Sequence, residues 1–361
     1  MQMKNIFWLA LFLLMVSCTE KKTMNLKFYG EFIVQDSLKL GDDFIGGLSG
    51  IDYVNDTLFF VVDDPNKPRL LKAKLEGVDI DNLNVNFLET MYLKDSATTF
   101  YNEYYLDLES IFVDQKTGRI HLTSEGSINN SKEPVLFSVN RFGRNPQKME
   151  LPNYLTEVDN HFHNKSFESS CLAYSKKGFW FTTEEPLRKD GVLADFNETN
   201  SPLRFSYYDF KEKHITKQFV YPLGNIDVKP NGDVKINGVT ALLEYEENKF
   251  LVVERAYVSG YGSYGNVVKI FNAEIDKMTA DVRSIEGLLG KKFTTMKKEL
   301  ILNLSDVKGK LTEGIIDNIE GITFGPKLPN GNRLLIVVAD DNFQKFGRQL
   351  NQFLFFEQIL N

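Results

Sequence analysis

The residues best suited to chemistry in this sequence are acidic side chains that recur in five similar segments. Each segment begins with an apolar residue followed by Glu, Ser or Thr, and continues with alternating apolar positions, a polar turn and a second apolar run ending on an acidic pair or near-pair. The early polar position is Glu109, Glu168 or Glu320 in three segments, and Ser49 or Thr240 in the others. The segments cover residues 46–65, 107–126, 166–186, 237–256 and 318–342.

Each segment is predicted to form a β-hairpin. Its apolar runs have strand length, and its turn contains residues that tolerate a tight reversal, as in Asn55-Asp56. In an antiparallel hairpin the start of the first strand lies beside the end of the second. We therefore expect each early Glu to lie close to the acids that close its own hairpin, and the open ends of the five hairpins to form an acidic ring around a central channel. The closing acids are Asp63, Asp64, Glu125, Glu184, Glu185, Asp340 and Asp341.

Carboxylates gathered in this way repel one another, and protonation, salt bridges or a bound cation can relieve the repulsion. Calcium fits such a set because it accepts six to eight oxygen ligands in loose geometry. The closing acids are therefore predicted as metal ligands, with Ca²⁺ as the cofactor. Glu109, Glu168 and Glu320 are predicted as catalytic, and so is Arg255, which takes the place of the second acid in the fourth hairpin and could bind a substrate anion.

A purely structural role for these residues is the alternative. Acids at the ends of hairpins also accept hydrogen bonds from nearby loop backbone, and they can fix neighbouring units to each other without any ligand. Arg255 could likewise form a plain salt bridge with Glu254 or with another acid of the ring. The aromatic and glycine-rich stretch from Tyr257 to Tyr264 is predicted to be a loop over the same face that could recognise a ligand.

The repeat predicts an all-β fold of the β-propeller class. Two further strands fit between successive hairpins, and four-stranded units repeated radially form a propeller. Five blades are favoured and six are possible, because the spacing of the motifs is longer than a compact blade requires. The strand Leu26 to Val34 would complete the last blade beside Gln352 to Ile359 and so close the ring. A β-sandwich is the competing fold, and residues 276–298 are predicted to be an inserted loop or helix.

The first residues are predicted to be an export signal. Residues 1–17 combine a positive charge with a short apolar run, and the sequence Met15-Val16-Ser17-Cys18 resembles the lipobox of bacterial lipoproteins. We expect Cys18 to be lipidated, residues 18–25 to form a tether, and residues 26–361 to form one domain in the bacterial cell envelope, in the periplasm or at the outer-membrane surface. The alternatives are an ordinary secretory signal and a buried N-terminal helix. Contact with the membrane is expected through the lipid anchor only.

The net charge of −7 and the isoelectric point near 5.4 argue against a nucleic-acid partner, because binding to phosphate backbones requires a basic face. An acidic body can still bind phosphate through a bound cation or a local basic cluster. We therefore expect the partner to be a small molecule.

Several ordered motifs resemble those of the phytase-like family, which is described as having esterase-like activity of phytase. The resemblance rests on GGLSGIDY, DLESIFVD, SFESSCLAY, TEEPL, LVVERAY and NIEGITFG followed by ADDNF, and it covers nearly the whole chain after residue 25. It implies a propeller and hydrolysis of phosphoesters or esters. Ser49 and Thr240 depart from the pattern, which implies that two blades lack an inner ligand.

Two functions follow from these observations. The first is a cation-dependent hydrolase that acts on phosphoesters or related esters through the acidic residues. The second is a non-catalytic propeller that binds a small ligand, a glycan or an envelope protein. The sequence favours the hydrolase only slightly, because it contains no clear pair of nucleophile and base.

Overall fold

The computed structural model of the protein describes residues 24–77, 82–197, 199 and 201–360. Three predictions lie outside the described residues: the signal peptide, the lipidation of Cys18, and the tether except for its last two residues. Within them, the strands form five four-stranded antiparallel sheets and one two-stranded sheet. The predicted propeller of five blades is therefore confirmed, and the described residues form no sixth four-stranded sheet.

The blades follow one another along the chain. Three strands come before the first complete blade: β1 (Met24–Val34), β2 (Lys39–Leu40) and β3 (Asp43–Phe44). Blade 1 contains β4 (Leu48–Val54), β5 (Thr57–Val62), β6 (Arg69–Glu76) and β7 (Asn84–Tyr92). Blade 2 contains β8 (Leu108–Asp114), β9 (Arg119–Ser124), β10 (Val135–Val139) and β11 (Gln147–Lys148). Blade 3 contains β12 (Phe167–Leu172), β13 (Gly178–Thr183), β14 (Pro202–Asp209) and β15 (His214–Pro222).

The last two blades bring the chain back to its start. Blade 4 contains β16 (Lys235–Glu246), β17 (Lys249–Val258), β18 (Asn266–Glu274) and β19 (Lys297–Asn303). Blade 5 contains β20 (Ile319–Lys327), β21 (Arg333–Ala339), β22 (Asn351–Leu360) and then β1. β1 pairs with β22 along its whole length, from Met24 opposite Leu360 to Val34 opposite Asn351. The predicted closure by the two terminal strands is confirmed, and it removes the open edges that an unfinished ring would expose.

Among the described residues, helical structure is confined to short segments between strands. One helix, α1, spans Phe100–Glu103. Single turns of 3-10 helix and one longer 3-10 segment span Ile128–Asn130, Asn153–Leu155, Val158–Asn160, Gly262–Tyr264, Leu304–Lys310, Thr312–Gly314 and Asn342–Gln344. No helix in the part of the chain that the structure describes is both long and apolar enough to cross a membrane.

The hydrophobic core is divided among the interfaces between blades. Five buried clusters each combine residues of two neighbouring blades, so that every blade is held by apolar contact on both sides. Edge-to-face aromatic pairs contribute to two of these interfaces. The ring centroids of Phe60 and Phe353 lie 5.7 Å apart between blades 1 and 5, and those of Trp180 and Phe250 lie 5.2 Å apart between blades 3 and 4.

Residues 276–298 are predicted to be an inserted loop or helix. Residues 276–296 form a loop between β18 and β19 that reaches the outer strands of blade 3, whereas the last two residues of the predicted range belong to β19. Val282 and Leu288 are buried against Val220. Arg204 donates a hydrogen bond to the carbonyl oxygen of Ile285 at 2.8 Å, and its guanidinium also pairs with Asp190 through two bonds of 2.7 Å. The insertion therefore fastens blade 4 to blade 3 on the outside of the ring.

The first strands of the blades form the inner wall of the ring, and each contacts the first strand of the next blade, from β4 round to β20 and back. Their close approach depends on small residues. A Cβ atom on Gly50 would lie 2.8 Å from the carbonyl oxygen of Glu109 and 2.9 Å from the Cα of Ser110 in blade 2. Since these neighbours are backbone atoms, they cannot move aside without displacing a blade.

We predict that Gly50→Ala lowers the free energy of unfolding by about 1–3 kcal/mol, the usual cost of overpacking a close contact. Gly309→Ala is the control, because a Cβ at Gly309 meets nothing within 4 Å and its backbone has no left-handed conformation. Denaturant unfolding followed by tryptophan fluorescence measures both variants. Equal stabilities of the two would show that the inner strands are not in tight contact.

Candidate functional site

A β-bulge occurs at the same place in the first strand of every blade. The register of pairing with the second strand shifts by one residue at this place, and the extra residue is always the early polar residue of the repeat. Bulges release a residue from the alternation of a strand and redirect its side chain. These five residues are called the bulge ring: Ser49, Glu109, Glu168, Thr240 and Glu320.

The two hydroxyl residues of the bulge ring bind the neighbouring blade. Ser49 Oγ donates to the carbonyl oxygen of Leu108 at 2.6 Å, and Thr240 Oγ1 donates to the carbonyl oxygen of Ile319 at 2.8 Å. Leu108 and Ile319 each precede a glutamate of the bulge ring. The two residues that depart from the repeat therefore form hydrogen bonds that hold the backbone next to a glutamate of the bulge ring.

The three glutamates of the bulge ring line one central cavity of about 470 Å³, a volume typical of small-molecule sites. Glu168 is only 6% exposed, and Glu109 and Glu320 are each 8% exposed. Loops from blades 4 and 5 form the rim of the cavity. Eight carboxylate side chains line it in all, those of Asp63, Asp107, Glu109, Glu168, Glu184, Asp317, Glu320 and Asp340.

In each hairpin, the residue before the bulge has a partner in the second strand. The residues that directly follow these five partners form a second ring. This closing ring contains Asp63, Glu125, Glu184, Arg255 and Asp340. Arg255 is opposite Gly238 and thus occupies the position of the first acid in the other blades, not that of the second acid as the sequence suggested. Turns of different length in the five hairpins hide this equivalence in the sequence.

The second acids of the pairs do not line the cavity, because successive side chains of an extended chain point in opposite directions. Asp64 accepts a hydrogen bond from Arg69 at 2.7 Å, and the Ala194 amide donates to Glu185 at 3.2 Å. Asp341 accepts a bond of 2.8 Å from the amide of Gly47, which lies beside blade 1. The structure thus separates these three predicted ligands, Asp64, Glu185 and Asp341, from the acids that meet in the cavity.

Two groups of three carboxylates have the spacing of a cation site. The first group takes one carboxylate oxygen from each of Asp63, Asp107 and Glu109, and these three atoms lie within 4.8 Å of one another. The second group takes one oxygen from each of Glu109, Glu125 and Glu168, with the same limit. Glu109 belongs to both groups. These oxygen-only sets match the ligands that calcium prefers.

Basic side chains neutralise only part of this negative charge. Glu184 receives both of the nearest cations, since its carboxylate lies 2.8 Å from Lys165 Nζ and 2.9 Å from Arg255 Nη2. Arg255 also donates to Asn318, whose side-chain amide donates in turn to Glu320 at 2.7 Å. Arg255 does not pair with Glu254, which accepts a hydrogen bond from Tyr221 at 2.7 Å.

Glu109 and Glu168 are left without compensation. Neither carboxylate accepts a hydrogen bond or forms an ion pair with any described residue, although both side chains are buried. By contrast, Glu125 accepts a bond of 3.3 Å from the amide of Ser166, and Asp340 accepts one of 2.6 Å from the amide of Asn342. Buried carboxylates without partners are costly as ions, so this part of the cavity is suited to a proton or a cation.

The pKa values of the acids reflect this environment. Burial, together with repulsion from neighbouring carboxylates, holds the pKa values of Glu109 and Glu168 well above their usual range. Burial raises the pKa of Glu125 to about 8, and it raises the pKa of Glu320 to about 8 even though Arg255 acts in the opposite direction. Burial also acts to raise the pKa of Glu184, but Lys165 and Arg255 outweigh it and lower this pKa. The two cations therefore favour the charged form of Glu184.

Several residues of the site, among them Asp107, Asp317, Asn318 and Lys165, were not found from the sequence. Asp107 and Asn318 stand two residues before Glu109 and Glu320, a spacing that places them on the same side of a strand and could have revealed them. Burial and a hydrogen bond to Asp63 raise the pKa of Asp107 to about 10. Lys165 comes from the loop before β12, and no motif distinguishes it from the other lysines.

The fold and the site together define a five-bladed propeller with an acidic central cavity. Residues 43–343 match the model of the phytase-like family, which is described as having esterase-like activity of phytase. The chain belongs to this family. The resemblance inferred from the motifs is confirmed. No protein with a curated description matches the sequence.

Solved structures resemble this chain only distantly. An exo-β-1,3-galactanase from Phanerochaete chrysosporium has a TM-score of 0.45 and 11% identity over 92% of this chain, which spans 64% of the galactanase. An α-L-arabinofuranosidase from Podospora anserina has a TM-score of 0.42 and 10% identity, with 93% of this chain and 97% of that chain covered. A PQQ-bound aldose sugar dehydrogenase from Streptomyces coelicolor has a TM-score of 0.39 and 8% identity, with 94% and 99% covered. Likenesses at these scores say nothing about activity.

The raised pKa values predict how stability changes with pH. Because Glu125 and Glu320 have pKa values of about 8 in the folded chain and ordinary values near 4.5 when unfolded, the folded state binds more protons between these limits. The free energy of unfolding then falls as pH rises, by about 1.4 kcal/mol per pH unit for each excess bound proton. Thermal unfolding between pH 7.5 and pH 8.5, in the presence of chelator, is the measurement.

This range of pH separates the carboxylates from the histidines. Burial lowers the pKa values of His121 and His161 to about 4, so their contribution to the pH dependence is confined to lower pH. Calcium should reduce the dependence of the free energy of unfolding on pH, since a bound cation replaces the protons on the carboxylates. A stability that is constant or rises with pH in chelator would contradict the arrangement of the acids described here.

Proposed function

We propose that the central cavity is the active site of a cation-dependent hydrolase that acts on phosphoesters or related esters. The observation that carries this proposal is the pair Glu109 and Glu168, two buried carboxylates without partners that face the same cavity as Arg255. A structural role would leave such groups hydrogen-bonded, as it does for Asp64, Glu185 and Asp341. Membership of the phytase-like family supports the same reaction class.

Calcium is the cation that suits the residues present. The ligands would be Asp63, Asp107, Glu109, Glu125 and Glu168, whose carboxylate oxygens form the two overlapping groups. When bound, calcium would neutralise these acids, polarise an ester or phosphoryl oxygen and lower the pKa of a water molecule. A set of five carboxylates favours calcium over magnesium, which is usually bound through one or two carboxylates and several waters.

The remaining groups of the cavity suit substrate binding and proton transfer. Arg255 lies between Glu184 and Glu320, which hold its guanidinium in place. The guanidinium can also bind an anionic group of the substrate. Hydrolysis requires the oxygen of water to bond to phosphorus or to the acyl carbon while the bond to the ester oxygen breaks. Glu320 would accept the proton that water loses, because its pKa of about 8 lies near neutral pH. Asp340, kept neutral by burial, would donate a proton to the departing alcohol.

We predict that Glu109→Gln and Glu168→Gln abolish the rise in melting temperature that calcium produces in the wild type, and that both reduce the hydrolysis of phosphoesters at least about a hundredfold. A hundredfold excess of calcium over its Kd should add about 2.7 kcal/mol to the stability of the wild type. Thermal unfolding with calcium and with chelator, beside an assay with p-nitrophenyl phosphate and p-nitrophenyl acetate, tests this prediction.

Asp64→Asn is the matched control for these variants. It also removes one carboxylate of the acidic set, but Asp64 does not line the cavity and pairs with Arg69. Its own melting temperature can change, whereas the increment caused by calcium should stay as in the wild type. The same loss of the calcium increment in Asp64→Asn and Glu109→Gln would place the cation outside the cavity.

A binding propeller without catalysis is the second candidate. The observation in its favour is that the described residues lining the cavity include no histidine or cysteine, and that Ser263 Oγ is bonded to the carbonyl oxygen of Arg348 at 2.6 Å. A side-chain nucleophile next to a base is therefore lacking among them. A calcium increment without turnover of either ester would favour this candidate over the hydrolase.

We also propose that the protein is a lipoprotein of the bacterial cell envelope, anchored through Cys18 after removal of residues 1–17. The support is the sequence around Cys18 alone. Expression of the full chain in a bacterium that processes lipoproteins should give a membrane-bound form whose Cys18 carries acyl chains by mass spectrometry. The Cys18→Ser variant should be released into the soluble fraction, and unchanged membrane binding of this variant would refute the anchor.

A further inference from the structure

One wall of the cavity is higher than the others because the inner hairpin of blade 4 is longer. In the other four blades the first paired residue is the one just before the bulge: Leu48, Leu108, Phe167 and Ile319. In blade 4 the pairing begins four residues before Val239, with Lys235 opposite Val258. At roughly 3.3 Å per residue, this extension raises the hairpin by about 13 Å over the mouth of the cavity.

The extension presents apolar side chains to the cavity. Ile236 and Tyr257 are directly paired across β16 and β17, so their side chains lie on the same face of the hairpin, and both line the cavity. Val234 continues this lining just before β16. The carboxylates of the bulge ring and the closing ring thus occupy one part of the cavity, while the extended hairpin gives another part an apolar wall.

A loop of blade 5 adds an aromatic side chain to the rim. Phe346 lines the cavity although 80% of it is exposed. The loop is held near blade 4 by the bond from Ser263 Oγ to the carbonyl oxygen of Arg348, and Arg348 forms an ion pair with Glu313. An exposed phenylalanine on a tethered rim loop, together with Ile236 and Tyr257, offers an apolar group a place to bind.

The charges of the cavity make this apolar surface important for affinity. Arg255 and Arg348 are the cations among its described lining residues, and both are already paired with acids. A substrate bound only through its anionic groups would compete with eight carboxylates for these two side chains and for any bound cation. Additional binding energy must therefore come from a part of the substrate that is not charged.

Building on the proposed function, we infer that the substrate is a phosphoester whose alcohol part is aromatic or bulky and apolar. The phosphoryl group binds among the acids of the cavity beside Arg255, where the proposed cation would lie. The apolar part lies against Ile236, Tyr257 and Phe346, which act as residues that determine specificity and take no part in the chemical step.

Phenylphosphonate and methylphosphonate test this inference, because they share one anionic head group, differ in the apolar group and contain no ester bond that could be hydrolysed. Their Kd values for the folded protein in saturating calcium are measured by titration calorimetry. The wild type should bind phenylphosphonate at least about tenfold more tightly. Phe346→Ala should reduce this preference about fivefold, in keeping with the energy of an aromatic contact, and leave the Kd of methylphosphonate unchanged.

Phe142→Ala is the matched control, since Phe142 is 61% exposed on a loop of blade 2 and does not line the cavity. It should keep the full preference for the phenyl compound. Equal Kd values for the two phosphonates, or equal effects of Phe346→Ala and Phe142→Ala, would overturn the inference and leave the proposed hydrolase intact. Failure of both phosphonates to bind in calcium would instead overturn the proposed function and this inference with it.

Discussion

Burial of carboxylates that lack a counter-ion is the constraint on which the arrangement of this protein depends. An isolated buried carboxylate is strongly disfavoured, so Glu109 and Glu168 can persist only in a framework that is stable without them. Five apolar interfaces between blades and the pairing of β1 with β22 supply that framework. The free energy for holding the acids together comes from apolar packing and strand pairing, not from interactions of the carboxylates themselves.

The bulge ring shows how one backbone feature serves two purposes. The same irregularity recurs in five blades, but its consequence depends on the side chain that occupies it. Glutamate is long enough to reach the central cavity, whereas Ser49 and Thr240 are short and bind the backbone of the next blade. The hydroxyl residues therefore stabilise the positions from which Glu109 and Glu320 project, which links the two uses of the bulge.

The cavity is asymmetric in charge and in height although the blades repeat. Glu184 takes both nearby cations and keeps its charge, which leaves the acids of blades 1 and 2 with an excess of negative charge. Blade 4 contributes neither a bulge-ring acid nor a closing-ring acid, but it contributes Arg255 and the extended hairpin. Departures from the repeat in this one blade create the difference between the acidic part of the cavity and its apolar wall.

The sequence by itself determined the repeat and its hairpins, because hairpin pairing and alternation are local properties of the chain. It favoured five blades over six, with the two terminal strands closing the ring, and the tertiary structure decided between these numbers. The sequence also indicated that the acids at the open ends of the hairpins would meet. Only the tertiary structure decided that Asp63, Glu184 and Asp340 face the cavity and that Asp64, Glu185 and Asp341 do not. The direction of each side chain depends on the bulge and on backbone groups of a neighbouring blade, such as the amide of Gly47 that binds Asp341. Partners so distant along the chain leave no pattern in the sequence around the acids themselves, and the same reason explains why Lys165 was missed.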